Sequence, residues 1–335
     1  MAGRIQVGGR IVADVKPKPP FVAVRDDGPP LDALKGGVFA IGNFDGVHRG
    51  HHAVIAATLS RARALAAHAA ALTFEPHPRA FFRPEVPLFR LTDERNKLRL
   101  LAAAGLDGAV ALTFDAALAG LSAEDFIGRI LVDRLAAKGV TVGFDFHFGR
   151  NRQGSPEFLV AQGRERGFSV AIVPPFEHEG MRVSSGPIRD ALAAGSIAAA
   201  TEMLGHPWFV TGTVIHGDKR GRDLGFPTAN LRLDPACGLK HGIYAVRIGI
   251  KGQHHDAVAS FGRRPMFDDG APLLEVFLFD FSGDLYGAEL DVAFIGWIRP
   301  EMKFDSVEDL IACMTDDAKQ ARSILAQDPD AFPVF

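Results

Sequence analysis

Up to about Leu204 the chain alternates short apolar runs with stretches of helical spacing; beyond that point the helical spacing disappears until near the end. This change of texture limits the fold more than any other feature. VFAIG (Val38–Gly42), AALTF (Ala70–Phe74), GAVALTF (from Gly108), GVTVGF (from Gly139) and FSVAIVP (from Phe168) are five strand candidates. Helical stretches separate them: His51 to about His68, Asp93 to Ala104, Ala123 to about Lys138 and Pro156–Arg166. Ser122 caps the third of these, with Asp125 at its third position. Buried-looking strands that alternate with helices predict a parallel α/β sheet with right-handed crossovers. After Leu204, WFVTGTVIHG, GIYAVRIGI, DAVASFG, LLEVFLFDF and AELDVAFIG follow one another across Gly, Asp and Pro turns. Tyr244, Val246 and Ile248 alternate clearly, so this part predicts an antiparallel β-barrel. A last helix starts at Ser306, with Asp309 at its third position, and runs to about Gln327.

Length agrees with two units, since 335 residues at roughly 150 per domain give about two. Residues 1–35, rich in Pro, Gly and charge, read as an N-terminal tail or edge segment; 36–204 and 205–330 are the expected domains. A 47% hydrophobic and 23% charged composition excludes disordered, collagenous and disulfide-framed chains. With 37 basic and 40 acidic residues the net charge is −3, so no global positive field draws nucleic acid or anionic lipid. The longest apolar run, near Ala64–Phe74, falls short of the roughly 20 residues a membrane span needs. Cys237 and Cys313 suit a reducing compartment, and Arg4, Arg10 and Lys16 interrupt any signal-peptide core; the expectation is a cytoplasmic enzyme. Twenty-six phenylalanines against two tyrosines and two tryptophans point to thick apolar cores or flat pockets for flat ligands.

Two stretches carry chemistry. GNFDGVHRGHH (Gly42–His52) follows the first strand directly. Glycine at the end of a strand admits a phosphate close to backbone, and the next helix aims its first amides at the anion. His48 and His51, three residues apart, can face one way and donate to a polyphosphate. A zinc reading of His48, His51 and His52 lacks an acidic or cysteine partner at the usual spacing. The stretch is neither GxGxxG nor a Walker A. The second stretch, GDKRGRDLGFPTANL (Gly217–Leu231), combines Gly217, Gly221 and Gly225 with Lys219, Arg220 and Arg222. Thr228 and Asn230 offer neutral oxygens on one side of an extended segment, which suits a phosphate-bound Mg²⁺. KRGR alone reads as a solvated charge run.

GNFDGVHRGHH, FEPHPR (Phe74–Arg79), GFDFHFGRNRQG (Gly143–Gly154) and SSGPIR (Ser184–Arg189), in that order, resemble the nucleotidyltransferase module of bacterial bifunctional riboflavin kinase/FAD synthetases. GDKRGRDLGFPTANL, LEVFLFDFSGDLYG (from Leu274) and IRPEMKF (Ile298–Phe304) continue the resemblance through the riboflavin kinase module. The resemblance covers about residues 36 to 327. It implies an α/β Rossmann-like nucleotidyltransferase domain followed by an antiparallel β-barrel riboflavin kinase domain with a C-terminal helix. The activities implied are phosphorylation of riboflavin to FMN by ATP, and adenylylation of FMN to FAD with release of pyrophosphate. Alternatives are an FAD synthetase with an impaired kinase module, and a non-catalytic flavin-binding regulatory protein.

The resemblance also assigns roles. His48 and His51 hold the triphosphate and stabilise the transition state, and Glu275 is the general base of the kinase step. Gly42, Phe44, Asp45, Ser184, Ser185 and Arg189 line the ATP and phosphate site of the first module. Gly217, Lys219, Gly221, Arg222 and Gly225 do so in the second. Phe74, Pro76 and His77 fall on the flavin side, with Asp145, which like Asp45 is also a candidate for nucleotide or metal contacts. Thr228 and Asn230 hold Mg²⁺, with ATP as co-substrate. Three departures stand out: Gly186-Pro187 in place of Thr-x, Ser260 and Met266 in place of Asn and Thr, and Phe277 where histidine is common. Pro187 suits a first helical position.

Overall fold

The computed structural model describes residues 20–26, 31–217, 225–263 and 272–335. Six parallel strands form the first sheet: β1 (Val22–Arg25), β2 (Val38–Ile41), β3 (Ala69–Glu75), β4 (Gly108–Thr113), β5 (Gly139–Gly143) and β6 (Ser169–Val173). Their order is β1-β4-β3-β2-β5-β6. The five expected strands are all present. The sixth, β1, lies within residues 1–35 and stands at one end of the strand order. Only Gly fits at 108, because a Cβ there would stand 2.4 Å from the Val22 carbonyl oxygen; its absence lets β1 close against β4. Strands β2 and β3 are buried at every position, which is why they read as unbroken apolar runs and not as alternation.

Helices cover both faces: α1 (Arg49–Ala64), α2 (Pro78–Phe82), α3 (Glu94–Ala103), α4 (Ala116–Ala119), α5 (Ala123–Asp125) and α6 (Pro156–Arg166). The helix expected from Ala123 to about Lys138 is α-helical only in its first turn. It continues as a π-helical stretch over Phe126–Arg134. The wider turn places Phe126, Ile127, Ile130 and Leu131 together against the sheet. A two-stranded ribbon, β7 (Glu177–His178) with β8 (Met181–Arg182), then leads into α7 (Ser185–Ala194) and α8 (Ile197–Leu204).

The second part is a six-stranded antiparallel sheet in the order β10-β13-β12-β11-β14-β9. Its members are β9 (Phe209–Thr213), β10 (Ala229–Arg232), β11 (Gly242–Ile250), β12 (Gln253–Arg263), β13 (Pro272–Leu278) and β14 (Glu289–Arg299). A bridge between Ile215 and Asn230 joins the two edges and nearly closes the barrel. α9 (Val307–Leu325), capped by Ser306 as expected, packs on its outside through Ala321 and Leu325. No helix among the described residues is long and apolar enough to cross a membrane.

The two parts share a core. Leu91, Ile188, Leu192, Ala200 and Leu204 belong to the same buried cluster as Tyr244, Val246, Leu274 and Phe294 of the barrel. Polar contacts reinforce the junction: Arg99 binds Asp291 with two hydrogen bonds of 2.8 and 2.6 Å, and Thr211 donates to Asp291 at 2.5 Å. A planar guanidinium facing a carboxylate in two bonds fixes orientation as well as distance.

Candidate active sites

In the first sheet the chain runs outward from β2 to β3 and β4, then crosses back to β5 on the other side. Ligands bind at such a reversal, beyond the carboxyl ends of the strands. A cleft of about 920 Å³ lies there, lined by Gly42 and Asn43 after β2, by Gly143 at the end of β5, and by Phe144 and Asp145 after it. His48, His51, Phe44, Phe74, His77, Ser184, Ser185 and Arg189 line the same cleft, so the structure brings together most of the residues singled out in the first half.

The loop from β2 to α1 is tightly wound. Phe44, Gly46 and Val47 have φ of 50°, 84° and 41°. For Val47, a β-branched residue, this is strained backbone, and full burial of both Phe44 and Val47 holds it in place. His48 then caps α1, its Nδ1 accepting from the His51 N–H at 3.3 Å. The ring proton of neutral His48 therefore sits on Nε2. The His48 and His51 rings stack with centroids 3.6 Å apart, and the Phe44 ring lies 5.1 Å from His51. Burial, helped by the neighbouring His52, lowers His48 to about 4 and, helped by His48, pushes His51 well below its ordinary value. Burial likewise takes His77, which caps α2, down to about 4. All three are neutral at pH 7, each offering one N–H. The Nδ1 atom of His51 is buried without a hydrogen-bond partner.

The amino end of α7 meets that of α1 in the cleft. Gly50 allows the approach, since a Cβ there would stand 3.1 Å from the His48 ring and 3.3 Å from the Val183 carbonyl. Helix amino ends that face one space suit an anion; in α1 the His51 amide is taken by His48, which leaves those of Arg49 and Gly50. Ser184 is the N-cap and its side chain makes no capping bond. Gly186 looks into open space, with nothing within 4 Å of a Cβ. Pro187 stands at the third helical position, two later than expected, still within the turn whose amides have no internal partner.

Asp45 and Pro76 do not line the cleft. Asp45 is 3% exposed and faces inward: its Oδ1 accepts from the amides of Leu91 and Thr92, and its Oδ2 binds Arg189. The guanidinium of Arg189 is held from behind by Asp45 and by the Phe89 carbonyl. Asp145, at the mouth, pairs with Arg182 of β8, whose guanidinium lies 4.5 Å over the Phe144 ring. Under the floor, Lys97 donates to Glu75 at 2.6 Å and Arg90 does so at 2.7 Å. Glu75 lies in FEPHPR, but a strand carboxylate carries no sign of its role until its cations are placed. The walls are phenylalanine: Phe44, Phe74, Phe82, Phe114, Phe126, Phe144, Phe146, Phe148 and Phe176. Beyond Phe44, Phe74 and the phenylalanines of GFDFHFGRNRQG, the excess of that residue is the signal of this surface in the sequence.

On the barrel, Leu274, Val276 and Leu278 point into the core, which turns Glu275 and Phe277 to the outer face. Asn230 of β10 and Ser260 of β12 lie directly opposite Glu275, one on each side. Residues facing across an antiparallel pair share a face. Asn230 is buried, its Oδ1 has no hydrogen-bond partner, and Gly217 packs so closely that a Cβ would stand 2.5 Å from its Nδ2. Phe277 meets the ring of Phe226 at 5.1 Å, tying the GFPTAN segment to β13. Gly225, with φ of 85°, turns the chain into that segment. Lys219, Gly221, Arg222 and Met266 lie outside the described residues.

Comparison with known proteins matches these two halves separately. A family model described as FAD synthetase matches residues 31–187, and one described as riboflavin kinase matches 204–325. The bifunctional riboflavin kinase/FMN adenylyltransferase of Pseudomonas fluorescens is 42% identical over 293 residues, covering 87% of this chain and 94% of that protein. The chain belongs to the bifunctional riboflavin kinase/FMN adenylyltransferase family. The Escherichia coli (strain K12) member is 39% identical over 289 residues, 86% of this chain and 92% of that one. A crystal structure from Streptococcus pneumoniae, described as a macrolide-efflux protein, superposes with a TM-score of 0.80 at 32% identity. It covers 90% of this chain and 99% of that one. The expected family, the parallel sheet followed by a barrel, and the C-terminal helix are thus borne out.

Proposed function

We propose that the protein phosphorylates riboflavin with ATP to give FMN, and transfers AMP from a second ATP to FMN to give FAD and pyrophosphate. Residues 36–204 carry the adenylyl transfer and 205–330 the phosphorylation. The convergence of two helix amino ends with His48, His51 and Arg189 in one phenylalanine-walled cleft is the observation that carries the reading. The FMN phosphate is already a nucleophile, so the protein's task is alignment and charge neutralisation. An FMN phosphate oxygen bonds to the α-phosphorus of ATP as the bond from that phosphorus to the bridging β-oxygen breaks. The Nε2–H of His48, the His51 ring, Arg189 and the first amides of α1 and α7 take up the charge. Phe74 and His77, with neighbouring phenylalanine rings, hold the flat isoalloxazine.

In the kinase step Glu275 takes the proton of the ribityl hydroxyl as that oxygen bonds to the γ-phosphorus and ADP leaves. Asn230 and Thr228 suit a magnesium ion, since the orphaned Asn230 Oδ1 is the hard neutral oxygen such an ion takes. When bound, the ion supplies charge neutralisation to the transferring phosphoryl group. Gly217 and Gly225, with Lys219, Gly221 and Arg222, would complete the nucleotide loop. Two small-molecule reactions of ATP and a near-neutral chain suit a cytoplasmic enzyme.

Incubation with riboflavin, ATP and Mg²⁺, followed by chromatographic separation of the flavins, tests this. Both FMN and FAD are expected. FAD from supplied FMN, but no FMN from riboflavin, reduces the protein to an adenylyltransferase. No product with a tightly bound flavin sinks both enzyme readings. Glu275→Gln should abolish FMN formation and spare FAD formation from FMN, and His48→Ala should do the reverse.

A further inference from the structure

The loop that carries Phe89, Arg90, Leu91 and Thr92 belongs to no helix or strand, yet it sets the adenylyl-transfer cleft from behind. Its amides at Leu91 and Thr92 fix the Asp45 carboxylate at 2.9 and 3.1 Å. Thr92 Oγ1 accepts from the Gly46 amide at 3.0 Å, which ties the loop to the backbone between Phe44 and His48. The Phe89 carbonyl and the Asp45 carboxylate together grip Arg189. The direction in which Arg189 faces the cleft therefore depends on where this loop stands.

From the other side the barrel holds the loop. Leu91 is 1% exposed and belongs to the barrel's buried cluster, and Gly238 of the barrel packs on the Phe89 ring. Trp208 is decisive, because it supplies both shape and a directed bond. Its ring is 2% exposed and lies between Phe89 at 5.6 Å and Phe294 at 5.0 Å. Its backbone carbonyl accepts from Phe294 on β14, so it moves with the barrel. Its indole Nε1 donates to the Leu91 carbonyl at 2.9 Å. The same peptide thus receives a bond from the barrel on its carbonyl side and gives one to Asp45 from its amide. A buried acceptor left without this donor is poorly satisfied, and the loop relaxes to recover a partner.

We propose that Trp208 is a positioning residue for adenylyl transfer: through the Leu91 carbonyl the kinase barrel fixes the Asp45 carboxylate, which in turn aims Arg189 at the ATP phosphates. The inference rests on the adenylyltransferase reading above and adds to it that the second half of the chain shapes the first half's site. Trp208 touches no substrate, and acts only through the loop.

The test is the full chain with 3-benzothienylalanine at position 208, an isostere with sulfur in place of the indole N–H, beside Trp208→Phe. In both, the KM for ATP in FAD formation from FMN should rise about three- to tenfold, the range that one lost hydrogen bond gives. The turnover number should stay within about twofold, and FMN formation from riboflavin, measured on the same samples, should be unchanged. The isostere keeps the ring's packing, so it remains informative if Trp208→Phe fails to fold. An unchanged KM for ATP in the isostere overturns the proposal. So does a parallel fall of both activities, which marks a general loss of barrel structure. If the unmodified protein makes no FAD at all, it is the adenylyltransferase reading that has failed.

Discussion

Replacing His48 with asparagine separates two things that this side chain does. Asparagine is a strong N-cap, so its Oδ1 can accept from the His51 amide as Nδ1 does now, and helix α1 keeps its start. What disappears is a buried titrating ring. His48 is 6% exposed and burial lowers it to about 4 in the folded protein, against 6.5 in an unfolded chain. Between those values the unfolded state binds a proton that the folded state refuses. Stability must then fall as pH drops below 6.5 and go on falling until about 4. At about 1.4 kcal/mol per unit, the His48 share is about 3 kcal/mol. Urea unfolding followed by far-ultraviolet circular dichroism at pH 7 and at pH 4.5 measures it. The variant should match the parent within about 1 kcal/mol at pH 7, and lose about 2 to 3 kcal/mol less on acidification. His77, also near 4, and His51 add to the loss in both proteins; since His48 helps to lower His51, the difference carries the His48 share together with the relief its removal gives His51. Equal losses in both proteins would refute the argument.

Other substitutions probe the remaining geometry. Gly217→Ala puts a methyl group 2.5 Å from the Asn230 amide nitrogen. FMN formation should drop by on the order of tenfold or more, with FAD formation from supplied FMN unaffected; a normal kinase rate would show that Asn230 need not stand where it does. Gly186→Thr enters open space in the first turn of α7. Thermal unfolding should show stability equal or raised by about 0.5 kcal/mol, and FAD formation should be at least as fast. Lys97→Met removes a buried cation and leaves Glu75 to Arg90 alone. A loss of about 3 kcal/mol in urea unfolding is expected, and a loss near zero would show that Arg90 suffices.

How far the sequence revealed these sites depended on whether the signal was local. Glu275 could be placed on the outer face because its neighbours Leu274, Val276 and Leu278 alternate with it toward the core. That Asn230 and Ser260 flank it could not be seen, since strand register joins residues far apart in the chain. Asp45 stands inside the most legible motif, and motif membership suggested a ligand contact. Its inward orientation depends on amides 46 and 47 residues away. Strand β1 hid among prolines and charges because an edge strand needs only one partner and one apolar side. The phenylalanine count hinted at a flat pocket without locating it, for its rings come from several separate segments of the first half.

The pairing of β1 has a bearing on how the chain assembles. Val22 of β1 finds its neighbour in Gly108, across β2 and β3 in sequence, and among the described residues no other strand borders it. β1 precedes β2, β3 and β4 in sequence, but its partner β4 is the last of them to be synthesised. Closing so long a loop is slow relative to the local contacts that form in between. For that interval VAVR has both edges open, and an open strand edge is where a wrong partner can add. Of these four strands, the earliest in sequence thus makes the pairing with the longest loop.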